Sequence, residues 1–312
     1  MSLQKGDNMN FKSLRDAADV TVIFDTDMCT DVDDVGALYL FLAAAKKYGF
    51  RTGGIAVNVN GEGEYAAIKA ILGETKSEEI PVGVYDGENS ESGNRSPYVD
   101  FLAGQYVGKR ECITASELYE NVLNTAEDGK VVIVSVGFFN NLNRARKRNP
   151  TLFDKKVSAV VAMAGRFDVT DGFAEFNIRQ FPVDAREFIE QFEGEIIFGG
   201  FEIGYRVITD LNDFATKSLL TETYNIFTAG RMRRESWDPL TVDFAINGES
   251  EIYSLSERGK VTLLDDLSTC FTICKGGNCR YIILNRPYDE SGRHISDEVK
   301  KSCLFLLNIQ TK

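Results

Sequence analysis

Residues 21–38 read TVIFDTDMCTDVDDVGAL, and this stretch decides the fold of the chain. Its first four residues, Thr21 to Phe24, are mostly apolar and β-branched, a pattern that predicts a buried strand. Apolar residues resume at Val35 and predict a helix that packs on this strand. A strand that runs through an acidic turn into a helix is typical of open α/β sheets, which bind ligands at that edge.

Five carboxylates lie within ten positions of this stretch, at Asp25, Asp27, Asp31, Asp33 and Asp34. Charges of one sign this close together repel one another strongly in a partly dry site. A bound divalent cation offsets that repulsion, and an all-oxygen ligand set favours Ca²⁺ or Mg²⁺ over zinc. Helix caps and turns account for one or two of these residues, but not for all five. We therefore expect a metal or catalytic site here.

The composition is that of an ordinary globular protein. The chain has 312 residues, of which 43% are hydrophobic and 26% charged. A net charge of −12 argues against a nucleic-acid backbone or an anionic membrane as the partner. No apolar run approaches the length of a membrane span. The N-terminal residues hold no apolar signal core, so the expected location is cytoplasmic by default, with a removed export signal left open.

The six cysteines show no paired C-x-x-C spacing, so free thiols are expected in a chain of this length. Cys274 and Cys279 flank Gly276-Gly277, a loop composition that leaves a disulfide open. The one histidine, His294, lies in a polar stretch near the C-terminus and is expected at the surface rather than in a catalytic site.

Strands and helices alternate along the first two thirds of the sequence. Further strands are predicted at 52–59, 80–84, 131–136, 157–163 and 195–198, and helices at 65–72, 115–125, 142–148 and 185–192. This alternation predicts an open, mostly parallel, Rossmann-like α/β sheet flanked by helices. The polar segment from Asp86 to Asn94 is predicted to be a surface loop or flap.

The last third of the sequence has a different pattern. Residues 215–247 are predicted to be mostly helical, with Asp238 as a helix N-cap and Pro239 in the first turn. From Tyr253, short strands and glycine turns predict a small antiparallel appendage at about 250–290, before a last helix at 297–307. No linker separates these parts, so we predict one domain over 1–312, with 1–18 as an N-terminal extension.

Four stretches together resemble one enzyme family. Asp25-Thr26-Asp27 with Asp31-Val32-Asp33-Asp34 is similar to the N-terminal signature of the inosine–uridine-type nucleoside hydrolases, with a longer spacing than the family's commoner form. Three later stretches match in order: VSVGFFNNL at 134–142, AEFNI at 174–178 with Asp184-Ala185, and DPL at 238–240. The resemblance spans roughly residues 20–250, and the chain resembles a divergent member with that family's fold.

The resemblance implies a calcium site. By analogy, Ca²⁺ is held by the carboxylates of Asp27, Asp34 and Asp238 and by the backbone carbonyl of Val136. Asp33 is then the general base that takes a proton from water. The reaction implied is hydrolysis of the N-glycosidic bond of a ribonucleoside, as in nucleoside salvage. Its oxocarbenium-like transition state is stabilised by anionic and carbonyl oxygens near the sugar.

The resemblance also implies a ribose site. Glu175 and Asn177 correspond to residues that hold ribose hydroxyls, and Asn58 is a further candidate, although Asn also commonly ends strands in turns. Asp25 and Asp31 are candidates for orienting the ligands by hydrogen bonds.

The sequence departs from the family pattern in two places. Trp237 stands where purine-cleaving relatives carry the His that is thought to protonate the leaving base, and it is expected either to stack on a nucleobase or to belong to the core. The segment 167–171 lacks the Asn that relatives use near the ribose 5′ end; either Arg166 and Asp171 serve instead, or the sugar is different. The segment 201–204 resembles one in divergent family members, and its Glu202 is a further candidate for substrate contact, or a plain strand-to-loop residue.

Two other functions stay open at this point. Phe24-Asp25-Thr26-Asp27 also resembles the nucleophile strand of haloacid-dehalogenase-type phosphatases, although no convincing downstream Lys or Gly-Asp pair follows. A non-catalytic, metal-dependent nucleoside- or sugar-binding protein also fits the residues. In the leading interpretation the partner is a nucleoside or related riboside, and a homo-oligomer is an option because family relatives are often dimers or tetramers.

Overall fold

The fold is described from a computed structural model of the chain, in which residues 11–17, 19–90, 95–109, 111–169 and 172–310 are described. Asp171 and most of the predicted N-terminal extension lie outside the described residues, as do residues 91–94 of the predicted polar loop. Residues 86–90 of that loop belong to neither a helix nor a strand.

Seven parallel strands form the centre of the main sheet. They are β1 (Thr21–Thr26), β2 (Arg51–Val57), β3 (Val82–Val84), β4 (Ile113–Thr114), β5 (Val131–Ser135), β6 (Val157–Met163) and β7 (Glu195–Gly199). Their order across the sheet is β4-β3-β2-β1-β5-β6-β7, and each is parallel to its neighbours. Every residue of the central strand β1 is buried. The predicted parallel sheet is confirmed.

Helices cover both faces of this sheet. The first eight are α1 (Asp33–Tyr48), α2 (Glu62–Glu74), α3 (Pro97–Gln105), α4 (Ala115–Thr125), α5 (Asn140–Arg148), α6 (Pro150–Lys156), α7 (Phe176–Gln180) and α8 (Pro182–Gln191). Val22 and Phe24 of β1 pack in one hydrophobic core with α1 and α2, whereas Ile23 packs in a second core with α4, α5 and α8. Successive strand side chains point to opposite faces, so β1 contributes to both cores.

The C-terminal part extends the sheet. It contains α9 (Phe201–Gly204), β8 (Ile208–Asp210), α10 (Leu219–Phe227), β9 (Arg233–Glu235), α11 (Trp237–Asn247), β10 (Tyr253–Leu255), β11 (Gly259–Leu263), β12 (Thr269–Ile273), β13 (Cys279–Leu284) and α12 (Tyr288–Leu306). β13 lies parallel to β7, and β10 and β11 pair with β13 in antiparallel fashion, with β12 beyond β11. The predicted antiparallel appendage is therefore continuous with the main sheet, whereas β8 and β9 form a separate pair.

Two predicted helix boundaries are wrong. α11 begins at Trp237, preceded by Ser236, so Asp238 lies inside the first turn and is not the N-cap. α12 begins at Tyr288 rather than at 297, which places His294 inside a helix. The Nε2 atom of His294 lies 2.9 Å from Oδ2 of the buried Asp243, and this hydrogen bond raises the pKa of His294. His294 is therefore half-buried and structural, because its face of α12 packs on the buried carboxylate of Asp243.

No helix in the described part of the chain is both long and apolar enough to cross a membrane. The six cysteines, all among the described residues, are not joined by disulfides, and this includes Cys274 and Cys279.

A buried carboxylate at the start of β7 joins three parts of the fold. Glu195 is 2% exposed, and its Oε1 accepts hydrogen bonds from Arg258 at 2.9 Å and from Arg280 at 2.8 Å. Its Oε2 accepts the backbone N–H of Phe11 at 2.8 Å. Glu195 therefore ties the N-terminal segment and the appendage to the parallel sheet.

We expect Glu195→Ala to lower the free energy of unfolding by about 3 kcal/mol, because it leaves two arginines and an N–H group without their buried acceptor. Urea denaturation followed by circular dichroism measures this change. The matched control is Glu251→Ala, which removes an exposed ion pair with Arg286 and should barely alter the midpoint. Equal, small effects in both variants would contradict the role assigned to Glu195.

Candidate active site

A cavity of about 440 Å³ lies at the carboxyl ends of β1, β5 and β6. Open α/β sheets bind ligands at this edge, and the volume suits a small organic molecule. The wall is formed by Asp27, Thr30, Asp31, Asp33, Asp34, Val136, Met163, Glu175, Phe176, Asn177, Phe201, Phe227, Arg234, Trp237 and Asp238.

The buried part of this cavity is acidic. Asp27, Asp33, Asp34 and Asp238, here called the acidic cluster, are each at most 5% exposed. Oxygens of Asp33, Asp34 and Asp238 lie within 4.8 Å of one another. The backbone N–H of Asp238 donates to Oδ2 of Asp33 at 3.1 Å, and the Thr26 hydroxyl donates to Asp34. The loop after β1 and the first turns of α1 and α11 thus converge on one point.

Burial raises the pKa of each carboxyl of the acidic cluster well above its usual range, and repulsion between the carboxylates raises it further. Among the described residues on the cavity wall, Arg234 is the one cationic side chain, and it is paired with Asp31. A divalent cation would supply the missing positive charge. Carboxylate and carbonyl oxygens are the ligands that Ca²⁺ and Mg²⁺ prefer, so the residues present fit such an ion.

Val136 lies beside the acidic cluster at the end of β5. Its carbonyl oxygen accepts a hydrogen bond from Nδ2 of Asn177 at 3.3 Å and has a second lone pair for another partner. A Cβ atom on the next residue, Gly137, would lie 2.0 Å from Oδ1 of Asn58, so only glycine allows this close approach. The predicted calcium ligands, which include this carbonyl, line one cavity together with the predicted base. Their roles stay predictions.

Glu175 and Asn177 also reach the buried part of the cavity. The Glu175 carboxylate caps α7 by accepting two of its backbone N–H groups, at 3.0 and 3.2 Å. Burial raises the pKa of Glu175 to about 7. Nδ2 of Asn177 donates to the carbonyls of Val136 at 3.3 Å and Met163 at 3.0 Å. This orientation directs the amide nitrogen to the protein backbone and makes Oδ1 the acceptor available to a ligand hydroxyl.

Asn58 does not reach the cavity wall. It is fully buried, and Nδ2 donates to Asp25 at 2.7 Å, to Asn140 at 2.9 Å and to the carbonyl of Phe138 at 3.0 Å. Asp25 is also fully buried, accepts the hydroxyl of Tyr119 at 2.8 Å, and has its pKa raised to about 7 by burial. The Asn58 amide is thus occupied in holding the turn after β5, which explains why it makes no wall contact.

Glu202 and Arg166 lie outside the cavity wall as well. Oε2 of Glu202 accepts the backbone N–H of Phe167 at 3.1 Å, and burial raises the pKa of Glu202 to about 7. Arg166 forms an ion pair with Asp168 at 2.7 Å. Both side chains therefore contact the loop after β6, and substrate contact by either of them stays a prediction.

The more exposed part of the cavity is aromatic. Phe176, Phe201, Phe227 and Trp237, here called the aromatic wall, are all half-buried. Trp237 stacks on Phe201 with ring centroids 5.6 Å apart, and its indole N–H donates to the carbonyl of Phe201 at 3.0 Å. Trp237 therefore belongs to the cavity wall rather than to the closed core, and nucleobase stacking by this ring stays a prediction.

Sequence reasoning missed Arg234 and most of the aromatic wall. Phe201, Phe227 and Arg234 lie in α9, α10 and β9, and no role was predicted for any of them from the sequence. The available signal was weak: Arg233-Arg234 is a basic pair four residues before Asp238 in an acidic chain. Only the folded arrangement brings these side chains to the same cavity.

Fold and site together define a class of α/β proteins that hold a small ligand over a carboxylate cluster at the carboxyl edge of a parallel sheet. A family model described as inosine-uridine preferring nucleoside hydrolase matches residues 22–276. The chain belongs to this family.

Solved structures of this fold are similar over almost their whole length. A plant nucleoside hydrolase, PpNRh1, is 19% identical, with 91% of this chain and 99% of that chain covered and a TM-score of 0.71. A purine-preferring ribonucleoside hydrolase from Gardnerella vaginalis is 16% identical, with coverages of 93% and 100% and a TM-score of 0.69. The type III effector XopQ, solved with adenosine diphosphate ribose, is 13% identical, with coverages of 93% and 97% and a TM-score of 0.72. A search of curated proteins finds no match.

Proposed function

We propose that this protein hydrolyses the N-glycosidic bond of a ribonucleoside, with Ca²⁺ at the acidic cluster, as a step of nucleoside salvage. The observation that carries the proposal is the acidic cluster itself: four buried carboxylates face one cavity together with Glu175 and Asn177. Repulsion within the cluster calls for a cation, and the cavity volume fits a nucleoside-sized ligand.

The side chains of the cavity have different roles in the proposed reaction. Positive charge develops on the ribose as the bond to the base breaks, and the carboxylates of the acidic cluster stabilise this charge where bulk water is excluded. Oδ1 of Asn177 and the carboxylate of Glu175 accept hydrogen bonds from ribose hydroxyls. Ca²⁺, when bound, makes water more acidic and orients the sugar. Asp33 takes the proton of the attacking water, while its Oδ2 is held by the N–H of Asp238.

The structure contradicts the phosphatase alternative. That mechanism requires Asp25 as a nucleophile in contact with the substrate. Asp25 is fully buried, is bound to Asn58 and Tyr119, and is absent from the described cavity wall. No phosphoryl group reaches it.

The test of the proposed function is a substrate panel. We expect the wild-type protein, in calcium, to release free base and ribose from at least one purine or pyrimidine ribonucleoside, measured by chromatography. ADP-ribose belongs in the panel because one similar structure was solved with it. If calorimetry showed that a ligand binds in calcium but no substrate gave any product, the protein would be a binding protein and not a hydrolase.

A further inference from the structure

A departing nucleobase takes up negative charge, and the cavity has no imidazole to offset it. His294, the one histidine of the chain, is bound to Asp243 and lies outside the wall. The indole N–H of Trp237 is already donated to the carbonyl of Phe201. Within the described wall, the remaining cation is Arg234.

The guanidinium of Arg234 donates hydrogen bonds to two acidic side chains. Nε donates to Oδ1 of Asp31 at 2.9 Å, Nη2 donates to Oδ2 of Asp31, and Nη1 donates to Glu235 at 2.7 Å. An arginine has five N–H groups, so these contacts use three of them. One N–H on Nη1 and one on Nη2 have no acceptor among the described residues.

Two aromatic rings contact this guanidinium. The Cζ atom of Arg234 lies 5.3 Å from the ring centroid of Phe227 and 5.2 Å from that of Trp237. Both rings belong to the aromatic wall. A guanidinium that contacts two rings and is bonded to two carboxylates has little freedom to turn.

Arg234 also lies in the part of the cavity where the nucleobase is expected. It is half-buried like the aromatic wall, whereas the residues predicted to hold the ribose are fully buried. A nucleoside with its ribose on the acidic cluster therefore has its base against the aromatic wall, beside Arg234.

We propose that Arg234 is the leaving-group residue of this enzyme and acts by hydrogen bonding without giving up a proton. This inference rests on the proposed function. The C1′–N bond breaks and its electron pair goes to the base, whose negative charge accepts the two uncommitted N–H groups. Water forms the new C1′–O bond and its proton passes to Asp33. The base leaves as an anion and takes a proton from solvent, and Asp33 returns its proton to solvent, which balances the hydrolysis.

The test compares two ribosides with different leaving groups. The leaving group of p-nitrophenyl β-D-riboside is a stable phenolate that needs no stabilisation by the protein. The base of an ordinary ribonucleoside does need such stabilisation. We expect Arg234→Met to lower kcat for the nucleoside by about 100-fold, the loss typical of removing one charge-stabilising donor. The kcat for the nitrophenyl riboside should change by less than about 3-fold, because its leaving group stabilises the negative charge without a donor from the protein.

Two further variants separate charge from geometry. Arg234→Lys keeps the charge without the planar fork and should recover only part of the lost rate. Arg233→Met is the matched control, because Arg233 pairs with Asp210 outside the cavity wall, and it should leave both rates unchanged. The midpoint shift caused by calcium should be equal in all of these proteins.

The outcomes distinguish this inference from the proposed function. Equal losses on both ribosides in Arg234→Met would make Arg234 a structural or ribose-holding residue and overturn the inference alone. Wild-type protein that cleaves only the nitrophenyl riboside would also overturn it, since no assistance to a base is then present. Wild-type protein that cleaves neither would overturn the proposed function, and the inference with it.

Discussion

Replacing Asp33 with Asn is expected to abolish base release and to leave calcium binding intact. Asp33 begins α1 at the buried part of the cavity, and one of its oxygens is held by the backbone N–H of Asp238. Asn keeps an oxygen for that hydrogen bond but cannot take a proton from water. General-base catalysis is typically worth 10²–10⁴-fold, so we expect kcat to fall by about 1,000-fold.

The matched variant is Asp27→Asn. Asp27 lies on the same wall, but we assign it to the cation, so this change should weaken calcium binding measured by calorimetry. Base release by this variant should then recover in part at higher calcium. If Asp27→Asn retained calcium and lost all turnover while Asp33→Asn remained active, the base would be Asp27 and the assignment of Asp33 would be wrong.

Replacing Asp238 with Asn is expected to remove the stabilisation by calcium. Burial and repulsion from Asp33 and Asp34 raise the pKa of Asp238, so its charge costs stability in the protein without a cation. We therefore expect Asp238→Asn to unfold at a higher temperature than wild type when calcium is chelated. In wild type, calcium at a hundred times its Kd should add about 2.7 kcal/mol of stability, and in the variant this gain should vanish.

Asp243→Asn is the control for this experiment. Asp243 is also buried, but it accepts hydrogen bonds from Tyr253 at 2.6 Å and pairs with His294, away from the acidic cluster. This variant should unfold at a lower temperature in chelator and keep the full calcium shift. A calcium shift that survived in Asp238→Asn, or that was lost in both variants, would contradict a cation site at the acidic cluster. Differential scanning fluorimetry in EDTA and in calcium measures all of these midpoints.

The parallel sheet was predictable because its signals are local. The apolar run at 131–136 and the repeated strand-helix alternation identify β5 and its neighbours without knowledge of the fold, and the strand at 157–163 has the predicted bounds. Helices α3 and α6 were missed. Pro150 follows the predicted helix at 142–148 and favours the end of that helix, but its fixed φ also suits the first turn of α6. Proline alone does not distinguish the end of one helix from the start of the next.

The acidic part of the site was predictable for a related reason. Asp33 and Asp34 follow β1 in the chain, and Asp238 stands in a short stretch that resembles the family. Sequence position does not show which way a side chain points. Asn58 follows a strand as a ligand residue does, yet its amide is taken up by Asp25 and the turn after β5. Arg234 carries only the weak signal of a basic pair, because tertiary packing alone brings it into contact with Phe227 and Trp237.

The most direct test of the account is the rate of base release across a calcium titration that starts from chelated wild-type protein. The substrate is whichever ribonucleoside the panel identifies. We predict no base release in EDTA. The rate of base release should rise to saturation at the calcium concentrations that shift the unfolding midpoint. Full release in EDTA would show that the acidic cluster works without a cation. No release from any ribonucleoside at saturating calcium would show that this protein is not a nucleoside hydrolase in activity.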